Sequence, residues 1–265
     1  MSDTARGQVI ASAAEVYEDV YVPALFQAWA PRMVDAARVA AGQRVVDVSC
    51  GTGVLARALA ERVGANGHVA GLDVNDGMLA VARRRAPAIA WHRGAAEALP
   101  FATAEFDAVL CQFALMFFDD RAKALGEMHR VLRPGGRFAI AVWCSLDETP
   151  AYAAVVALLD GLFGPAAAAS LRMPFVLGDA ARAVSLVRAA GFDDVQIATH
   201  EGQARFPSVE TWMHADVRGW TAADVIDDAG YARLLAEACC ELARFVRPDG
   251  SVVFRCPAHI VTATR

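Results

Sequence analysis

The sequence predicts an α/β fold with a doubly wound, mostly parallel sheet of seven strands. Short apolar segments rich in valine alternate with amphipathic stretches of about a dozen residues, which is typical of βαβ units. The stretch VVDVSCGTG, residues 45–53, leads from one such strand into a helix through a glycine-rich turn. Because 56% of the 265 residues are hydrophobic, the chain can cover both faces of a parallel sheet.

Two helices are predicted before the first strand. Residues 8–20 carry apolar side chains at helical spacing, and Pro23 is expected to open a second helix over residues 23–40. Gly42 would end that helix. We expect this N-terminal part, residues 1–41, to lie over the functional site.

A central unit, residues 42–145, carries the clearest alternation of strands and helices and is predicted to bind the cofactor. The helix that precedes the last of its strands stops at the turn sequence RPGG. The predicted strands are 44–50, 67–74, 89–95, 106–112 and 137–144, and the predicted helices are 54–63, 76–86 and 120–132.

The remainder, residues 146–265, is predicted to complete the sheet. Two helices, 149–164 and 179–192, precede a strand at 194–200, and the last strand spans 258–265. Helical patterns at 208–220 and 231–246 fall between these two strands. We interpret residues 207–249 as a helical cap inserted into one domain, residues 1–265.

Charge and composition exclude several classes of protein. The formal net charge of −5 argues against a nucleic-acid-binding protein, which needs a basic face. The longest apolar stretch, residues 151–171, is interrupted by charged, glycine and proline residues, so no membrane span is expected. Without a signal-peptide pattern we predict a cytoplasmic protein. Its six cysteines lack metal-ligand spacing and are predicted to be reduced, with no metal bound.

The glycine-rich turn raises the question of which ligand it serves. GTGVLA fits the dinucleotide pattern G-x-G-x-x-A, and Asp73 follows Gly51 by 22 residues, a spacing typical of a ribose-binding acid. A nearby carboxylate, Asp47, would repel a pyrophosphate by about 1–4 kcal/mol at about 4 Å but would attract an ammonium group. The predicted ligand therefore carries a ribose and an amino group and lacks phosphate, as S-adenosylmethionine does.

Five motifs in order resemble class I S-adenosylmethionine-dependent methyltransferases of the ubiquinone/menaquinone-biosynthesis-like (type 11) small-molecule group. The first, VVDVSCGTGVLA, matches D-x-G-x-G-x-G except that Ser49 replaces the first glycine, and Asp73 lies in the second, GLDVNDGML. GAAEALPF, FDAVLCQFALMFF and EMHRVLRPGGRF follow, so that the resemblance covers residues 44–145. It implies a Rossmann-like methyltransferase fold and S-adenosylmethionine as cofactor.

The resemblance also implies how the cofactor is held. Asp47 would serve the methionine amino end, and Asp73 would take both ribose hydroxyls. Val74 and Met78 would pack on the adenine. An acid often stands in the family where this chain has Ala95, which leaves Glu97 or a backbone carbonyl for the adenine amino group. The complete predicted cofactor set is Asp47, Ser49, Gly51, Thr52, Gly53, Asp73, Val74, Met78, Ala95, Ala96, Glu97 and Gln112.

The predicted reaction is a direct displacement on the sulfonium methyl, with a small apolar or aromatic acceptor. The sequence CQFALMFF stands where amino methyltransferases of nucleobases carry an Asn- or Asp-Pro-Pro-aromatic motif. If the acceptor loses a proton, His200 and His214 are the candidate bases, although each is as easily explained as structural. The predicted acceptor pocket comprises Tyr17, Tyr21, Phe26, Phe113, Met116, Phe117 and Trp212, for each of which core packing is the simpler explanation.

Two alternatives stay open at this point. The glycine pattern also fits an NAD(P)-binding oxidoreductase, and intact cofactor motifs do not distinguish an enzyme from a protein that only binds the cofactor. The acceptor metabolite, the acceptor atom and the oligomeric state do not follow from the sequence.

Overall fold

A mostly parallel sheet of seven strands forms the centre of the molecule. The structure, a computed structural model, describes residues 11–218 and 226–265. The strands of the sheet are β1 (Arg44–Val48), β2 (His68–Asp73), β3 (Ala90–Arg93), β4 (Phe106–Gln112), β5 (Leu132–Trp143), β6 (Asp193–His200) and, last in the chain, β9 (Ala258–Thr264).

The strand order is β3-β2-β1-β4-β5-β9-β6, in which β9 runs antiparallel to both of its neighbours. The other pairs are parallel, which confirms the predicted doubly wound sheet. The helices around it are α1 (Ala11–Val16), α2 (Ala30–Ala36), α3 (Val54–Val63), α4 (Asp76–Arg85), α5 (Arg121–Val131), α6 (Pro150–Phe163), α7 (Pro165–Arg172) and α8 (Ala180–Ala189).

The register of the central strands positions the candidate site. Three of the five residues of β1 are valines, Val45, Val46 and Val48, and all three are fully buried, as expected of a strand covered on both faces. It pairs with β2 so that Val48 lies opposite Leu72. The residues that follow Val48 and Leu72 therefore emerge side by side at the carboxyl edge of the sheet, where doubly wound folds bind ligands.

The N-terminal segment differs from its prediction. Residues 17–26 form a π-helix, and Pro23 lies inside it rather than at the start of a second helix. The predicted break at Pro23 is therefore wrong. A proline interrupts the hydrogen bonding of an α-helix, and the wider π-helical turn accommodates it. A 3₁₀ turn, Gln27–Trp29, then leads into α2. Residues 8–10 of the first predicted helix lie outside the described residues.

Ion pairs fasten this segment to the sheet's flanking helices. Arg57 on α3 contacts Glu18 at 2.9 Å, and the side chain of Glu18 is only 9% exposed. Arg85 on α4 contacts Asp19 at 3.0 Å. These contacts hold the π-helix, and with it Tyr17, above the carboxyl edge of β1.

A second, two-stranded sheet that the sequence patterns did not predict lies at the two ends of the predicted insertion. β7 (Gln203–Phe206) pairs antiparallel with β8 (Val252–Arg255). The chain between them forms α9 (Val209–Met213), a π-helix (His214–Arg218) and α10 (Asp228–Glu241). Four-residue strands are too short to show a convincing alternation. Within the described residues, no helix has the length and apolar character needed to cross a membrane.

Candidate active site

A cleft, here the rim cleft, lies beyond the carboxyl ends of β1, β2 and β4. It contains about 1060 Å³ of space that protein atoms do not fill, and it is open to solvent. Nine of the twelve predicted cofactor residues line it: Ser49, Gly51, Asp73, Val74, Met78, Ala95, Ala96, Glu97 and Gln112. Tyr17, Asn75, Phe113, Ala114, Phe117, Phe118 and Asp119 complete its wall.

Asp73 is held in place at the centre of the rim cleft. Its Oδ2 accepts a hydrogen bond from the Gly51 N–H at 2.9 Å, and its Oδ1 accepts one from the Asn75 N–H at 2.9 Å. Burial raises the pKa of Asp73, and these backbone hydrogen bonds oppose the shift. Each carboxylate oxygen retains a lone pair, so the two together can accept from a vicinal diol.

The turn after β1 depends on left-handed backbone geometry. Ser49 has a φ of 58° and Gly51 a φ of 54°. Ser49 occupies the position of the first glycine in the motif, and a residue with a Cβ adopts this conformation at a cost. The Cys50 N–H donates to the Leu72 carbonyl at 2.9 Å and ties the turn to β2.

Asp47 does not line the rim cleft but is buried beneath it. It is only 1% exposed, and neither carboxylate oxygen has a hydrogen-bond partner. Burial raises its pKa well above the usual range. An unpartnered buried carboxylate is unusual and calls for a donor. A positively charged amino group in the cleft above Asp47 would favour its ionised form and a phosphate would oppose it, so the residues present suit S-adenosylmethionine better than a phosphate-bearing ligand.

Thr52 and Gly53 also lie away from the rim cleft. Thr52 is 1% exposed, and Gly53 caps α3 with a φ of 89°. A Cβ at Gly53 would stand 2.4 Å from the Trp91 ring. Glycine at this position therefore leaves room for the Trp91 indole. Gly53 was predicted to contact the cofactor, but it does not line the rim cleft.

A second cavity, here the aromatic cavity, adjoins the rim cleft and contains about 570 Å³ of unfilled space. Three residues, Tyr17, Phe113 and Phe117, line both spaces. The remaining wall consists of Tyr21, Leu25, Phe26, Trp143, Tyr152, Leu171, Pro174, Phe175 and Asp216.

Five of the seven predicted acceptor residues line the aromatic cavity, and two do not. Met116 is 1% exposed and belongs to the 3₁₀ turn Leu115–Phe117, in which its side chain is buried while Phe117 lines the cavity. Trp212 is fully buried and stacks on Phe254 with ring centroids 4.5 Å apart. For these two residues core packing is the correct interpretation.

The two candidate histidines do not reach either space. His200 is half-buried at the end of β6, and His214 is exposed on its π-helix. Neither belongs to the wall of the rim cleft or of the aromatic cavity. The sequence missed the residue that does supply an ionisable group there, Asp216. The apolar residues on either side of it in the sequence, Ala215 and Val217, are the local signal that this aspartate lies in the interior, and both are buried.

One cluster has metal-ligand chemistry that the cysteine spacing did not indicate. Potential ligand atoms of Cys144, Glu148 and His259 lie within 4.8 Å of one another. The His259 ring nitrogens already contact the Thr199 hydroxyl at 2.9 Å and the Gly178 carbonyl oxygen at 3.1 Å. Because both ring nitrogens of His259 already have protein partners, we interpret the cluster as a set of structural contacts and not as a metal site.

Known proteins match this chain mainly in its central unit. A methyltransferase domain family model matches residues 46–140. The chain is 43% identical over 119 residues to a 2-phytyl-1,4-naphtoquinone methyltransferase of Thermosynechococcus vestitus, a match that covers 44% of this chain and 53% of that protein. It is 42% identical over 127 residues to a demethylmenaquinone methyltransferase of Renibacterium salmoninarum, covering 48% and 52%. The chain thus spans about half the length of these relatives.

Solved structures show the same fold over most of the chain. A methyltransferase from Bacillus halodurans superposes with a TM-score of 0.61 at 19% identity, over 89% of this chain and 97% of that one. A phosphoethanolamine N-methyltransferase of Haemonchus contortus, solved with S-adenosyl-L-methionine, gives a TM-score of 0.61 at 17% identity, over 97% and 57%. Residues 46–140 therefore match a methyltransferase domain family, and the solved structures show that the fold around them is one found in methyltransferases.

Proposed function

We propose that the protein transfers the methyl group of S-adenosylmethionine to a small aromatic or apolar acceptor. The observation that carries the proposal is the shared wall of the two spaces. Tyr17, Phe113 and Phe117 face both the rim cleft and the aromatic cavity. An acceptor in the cavity would therefore lie beside a ligand in the cleft.

In this proposal the rim cleft holds the cofactor through few groups. Asp73 accepts from the ribose hydroxyls, and Asp47 favours the amino end from below. Val74 and Met78 pack on the adenine. Glu97 faces the adenine edge, where Asp119, which the sequence patterns missed, also lines the wall. Bound S-adenosylmethionine supplies an electrophilic methyl group.

The acceptor side is built largely outside the region shared with the relatives. Tyr21, Tyr152 and Phe175 belong to segments before or after residues 46–140. Stacked rings such as Phe113 and Trp143, whose centroids are 3.7 Å apart, fit a flat ring better than a branched chain. We infer a planar aromatic acceptor, with a quinone-type ring as the first candidate, since the matched relatives are named for such compounds.

The chain's contribution to the reaction is mainly to position the acceptor. Holding the nucleophile in line with the sulfonium methyl lowers a displacement barrier by up to about 7–11 kcal/mol. Apolar walls also keep water away from the methyl group. The alternative of an NAD(P)-dependent oxidoreductase finds no support among the matched proteins. A cytoplasmic location and a single domain with a cap at residues 207–249 stay predictions.

Incubation with methyl-tritiated S-adenosylmethionine and a panel of planar phenols and quinols tests the proposal. We expect label to appear in the organic extract for at least one quinol, such as 1,4-dihydroxynaphthalene. Boiled protein provides the blank, and binding of S-adenosylhomocysteine shows that the cofactor site is intact. If the protein binds S-adenosylhomocysteine but labels no acceptor, the proposed transferase activity is wrong.

A further inference from the structure

One carboxylate in the wall of the aromatic cavity has no assigned role. Asp216 lies on the π-helix His214–Arg218 and is only 2% exposed. Its Oδ1 accepts a hydrogen bond from the Tyr21 hydroxyl at 2.6 Å. Its Oδ2 is buried and has no hydrogen-bond partner. A buried carboxylate oxygen without a donor is costly, and such oxygens mark sites where a ligand supplies one.

Among the residues that the structure describes, no positively charged side chain contributes to the electrostatics of Asp216. The titratable groups that face it from the described elements are the phenols of Tyr21 and Tyr152 and the thiol of Cys256. Burial raises the pKa of all three, so they are neutral at physiological pH. Burial also raises the pKa of Asp216 to about 7, although the Tyr21 hydrogen bond opposes that shift. A group that titrates there can take up a proton during turnover.

The indole of Trp212 does not satisfy the free oxygen. Trp212 lies four residues before Asp216, and its Nε1–H is itself buried without a hydrogen-bond partner. It is close enough to lower the pKa of Asp216 but does not reach hydrogen-bond geometry. Oδ2 is thus left available to a ligand in the aromatic cavity, which Asp216 lines and Trp212 does not.

We propose that the acceptor carries an aromatic or enolic hydroxyl whose proton passes to Asp216 Oδ2, with Tyr21 as the residue that positions the carboxylate. This inference rests on the proposed methyltransferase function. It replaces the histidines, which lie away from the cavity, with a group that faces it. Every other side chain in the described wall of the cavity is an aliphatic residue, a neutral aromatic ring or a neutral phenol.

The proposed step balances without a further reactant. The acceptor's O–H bond breaks, its proton goes to Oδ2, and its electron pair stays on the acceptor. The resulting anion forms a bond to the methyl carbon, and the carbon–sulfur bond breaks with its pair on sulfur. The carboxylate becomes a neutral acid, the sulfonium becomes a thioether, and the proton leaves Asp216 for water after product release.

Paired ligands that differ only in the hydroxyl group test the inference. Binding of 1-naphthol, naphthalene and 1-methoxynaphthalene is measured by calorimetry on protein saturated with S-adenosylhomocysteine. We expect 1-naphthol to bind roughly 10-fold or more tightly than either analogue at pH 8, because a hydrogen bond to a carboxylate is charge-assisted. Asp216→Asn should remove most of this preference while S-adenosylhomocysteine binding persists.

The pH dependence separates a positioning role for Tyr21 from a merely structural one. The affinity for 1-naphthol should rise between pH 5 and pH 8 as Asp216 ionises, since its pKa is about 7. Tyr21→Phe removes a hydrogen bond that lowers this pKa, so the midpoint should move to higher pH. Tyr152→Phe makes the same chemical change in the same cavity without that bond and should leave the midpoint in place.

Several results would overturn the inference. They are equal binding of 1-naphthol and its analogues, no binding of any of them, or a preference that survives Asp216→Asn. Tighter binding of 2-phenylethylammonium than of 1-naphthol would assign the carboxylate to a cation instead. If the wild-type protein does not bind S-adenosylhomocysteine at all, the proposed methyltransferase function is itself wrong. Failure of the Asp216 inference and failure of the proposed function are therefore distinguishable.

Discussion

The rim cleft and the aromatic cavity share three residues, yet they are built in opposite ways. The rim cleft is lined mainly by polar and small residues near the ends of neighbouring strands, among them Asp73, whose carboxylate is fixed by backbone hydrogen bonds. The aromatic cavity brings together rings from the N-terminal π-helix, the turn after β4, and α6, with Asp216 as its only carboxylate among the described residues.

This difference explains which half of the site falls within the region that matches the methyltransferase domain family. Apart from Tyr17, the wall of the rim cleft comes from residues 49–119, and the family model, which matches residues 46–140, contains that region. The cavity depends on how distant segments pack over the sheet. Its chemistry can therefore change while the cleft is kept, and the acceptor must be determined from this chain's own residues.

The largest expected effect concerns the one charge in the cavity. The pKa of Asp216 is raised by burial from the ordinary value of 3.8 to about 7, so the folded state binds more protons than the unfolded state between about pH 4 and pH 7. The free energy of unfolding therefore falls as pH rises through this interval. The Asp216→Asn protein has no carboxyl group to ionise at this position, so its free energy of unfolding should not fall in this way. The difference between its melting temperature and that of wild type should therefore increase by several degrees from pH 5 to pH 8.

Thermal unfolding at a series of pH values checks this prediction. Asp249→Asn, at an exposed aspartate paired with Arg205, is the matched control and should show no such increase. A melting-temperature difference between Asp216→Asn and wild type that is constant with pH would contradict the assigned pKa.

A change in the rim cleft should affect the cofactor alone. Asp73→Ala removes a carboxylate that we assign to the ribose hydroxyls, and hydrogen bonds to charged groups contribute about 1.5–3 kcal/mol. The affinity for S-adenosylhomocysteine should fall roughly 10- to 150-fold by calorimetry. Asp76→Ala, three residues along and 63% exposed at its side chain, should leave the affinity within about twofold. Unchanged affinity in a folded Asp73→Ala protein would remove the assignment.

A change in the aromatic cavity should weaken acceptor binding and leave cofactor binding unchanged. Phe175 lines only the cavity, and losing its ring should weaken 1-naphthol binding roughly 10-fold, because a buried phenylalanine contributes about 1.5–3 kcal/mol. The affinity of Phe175→Ala for S-adenosylhomocysteine should stay near that of wild type. Phe117 lines both spaces, so Phe117→Ala should alter both affinities. Loss of cofactor affinity in Phe175→Ala would show that the two spaces are not separate sites.

The smallest expected effect tests the strained turn of the rim cleft. Ser49→Gly places glycine at a φ of 58° and should raise the free energy of unfolding by about 0.5–1 kcal/mol, which corresponds to about 1–4 °C in melting temperature. Ala104→Gly is matched to it, with a φ of 57° in an exposed loop away from both spaces, and should give a similar gain. A lower melting temperature for Ser49→Gly alone would mean that the serine side chain stabilises the turn.

The two halves of the site also differ in how far the sequence predicted them. Valine-rich β1, the glycine turn and Asp73 are close in sequence, and the sheet and most of the cleft followed from them. The π-helix around Pro23 was missed because proline usually ends a helix. Tyr152 and Asp216 were missed because only the packing of distant helices over the sheet brings them to the cavity.

Calorimetric titration with S-adenosylhomocysteine and, separately, with NADH tests most directly whether the rim cleft is built for a methyltransferase cofactor. Asp47, buried under the cleft with both oxygens unpartnered, favours an amino group and disfavours phosphates. We predict saturable binding of S-adenosylhomocysteine, weakened in Asp73→Ala, and no measurable binding of NADH. Tighter binding of NADH than of S-adenosylhomocysteine would contradict the account.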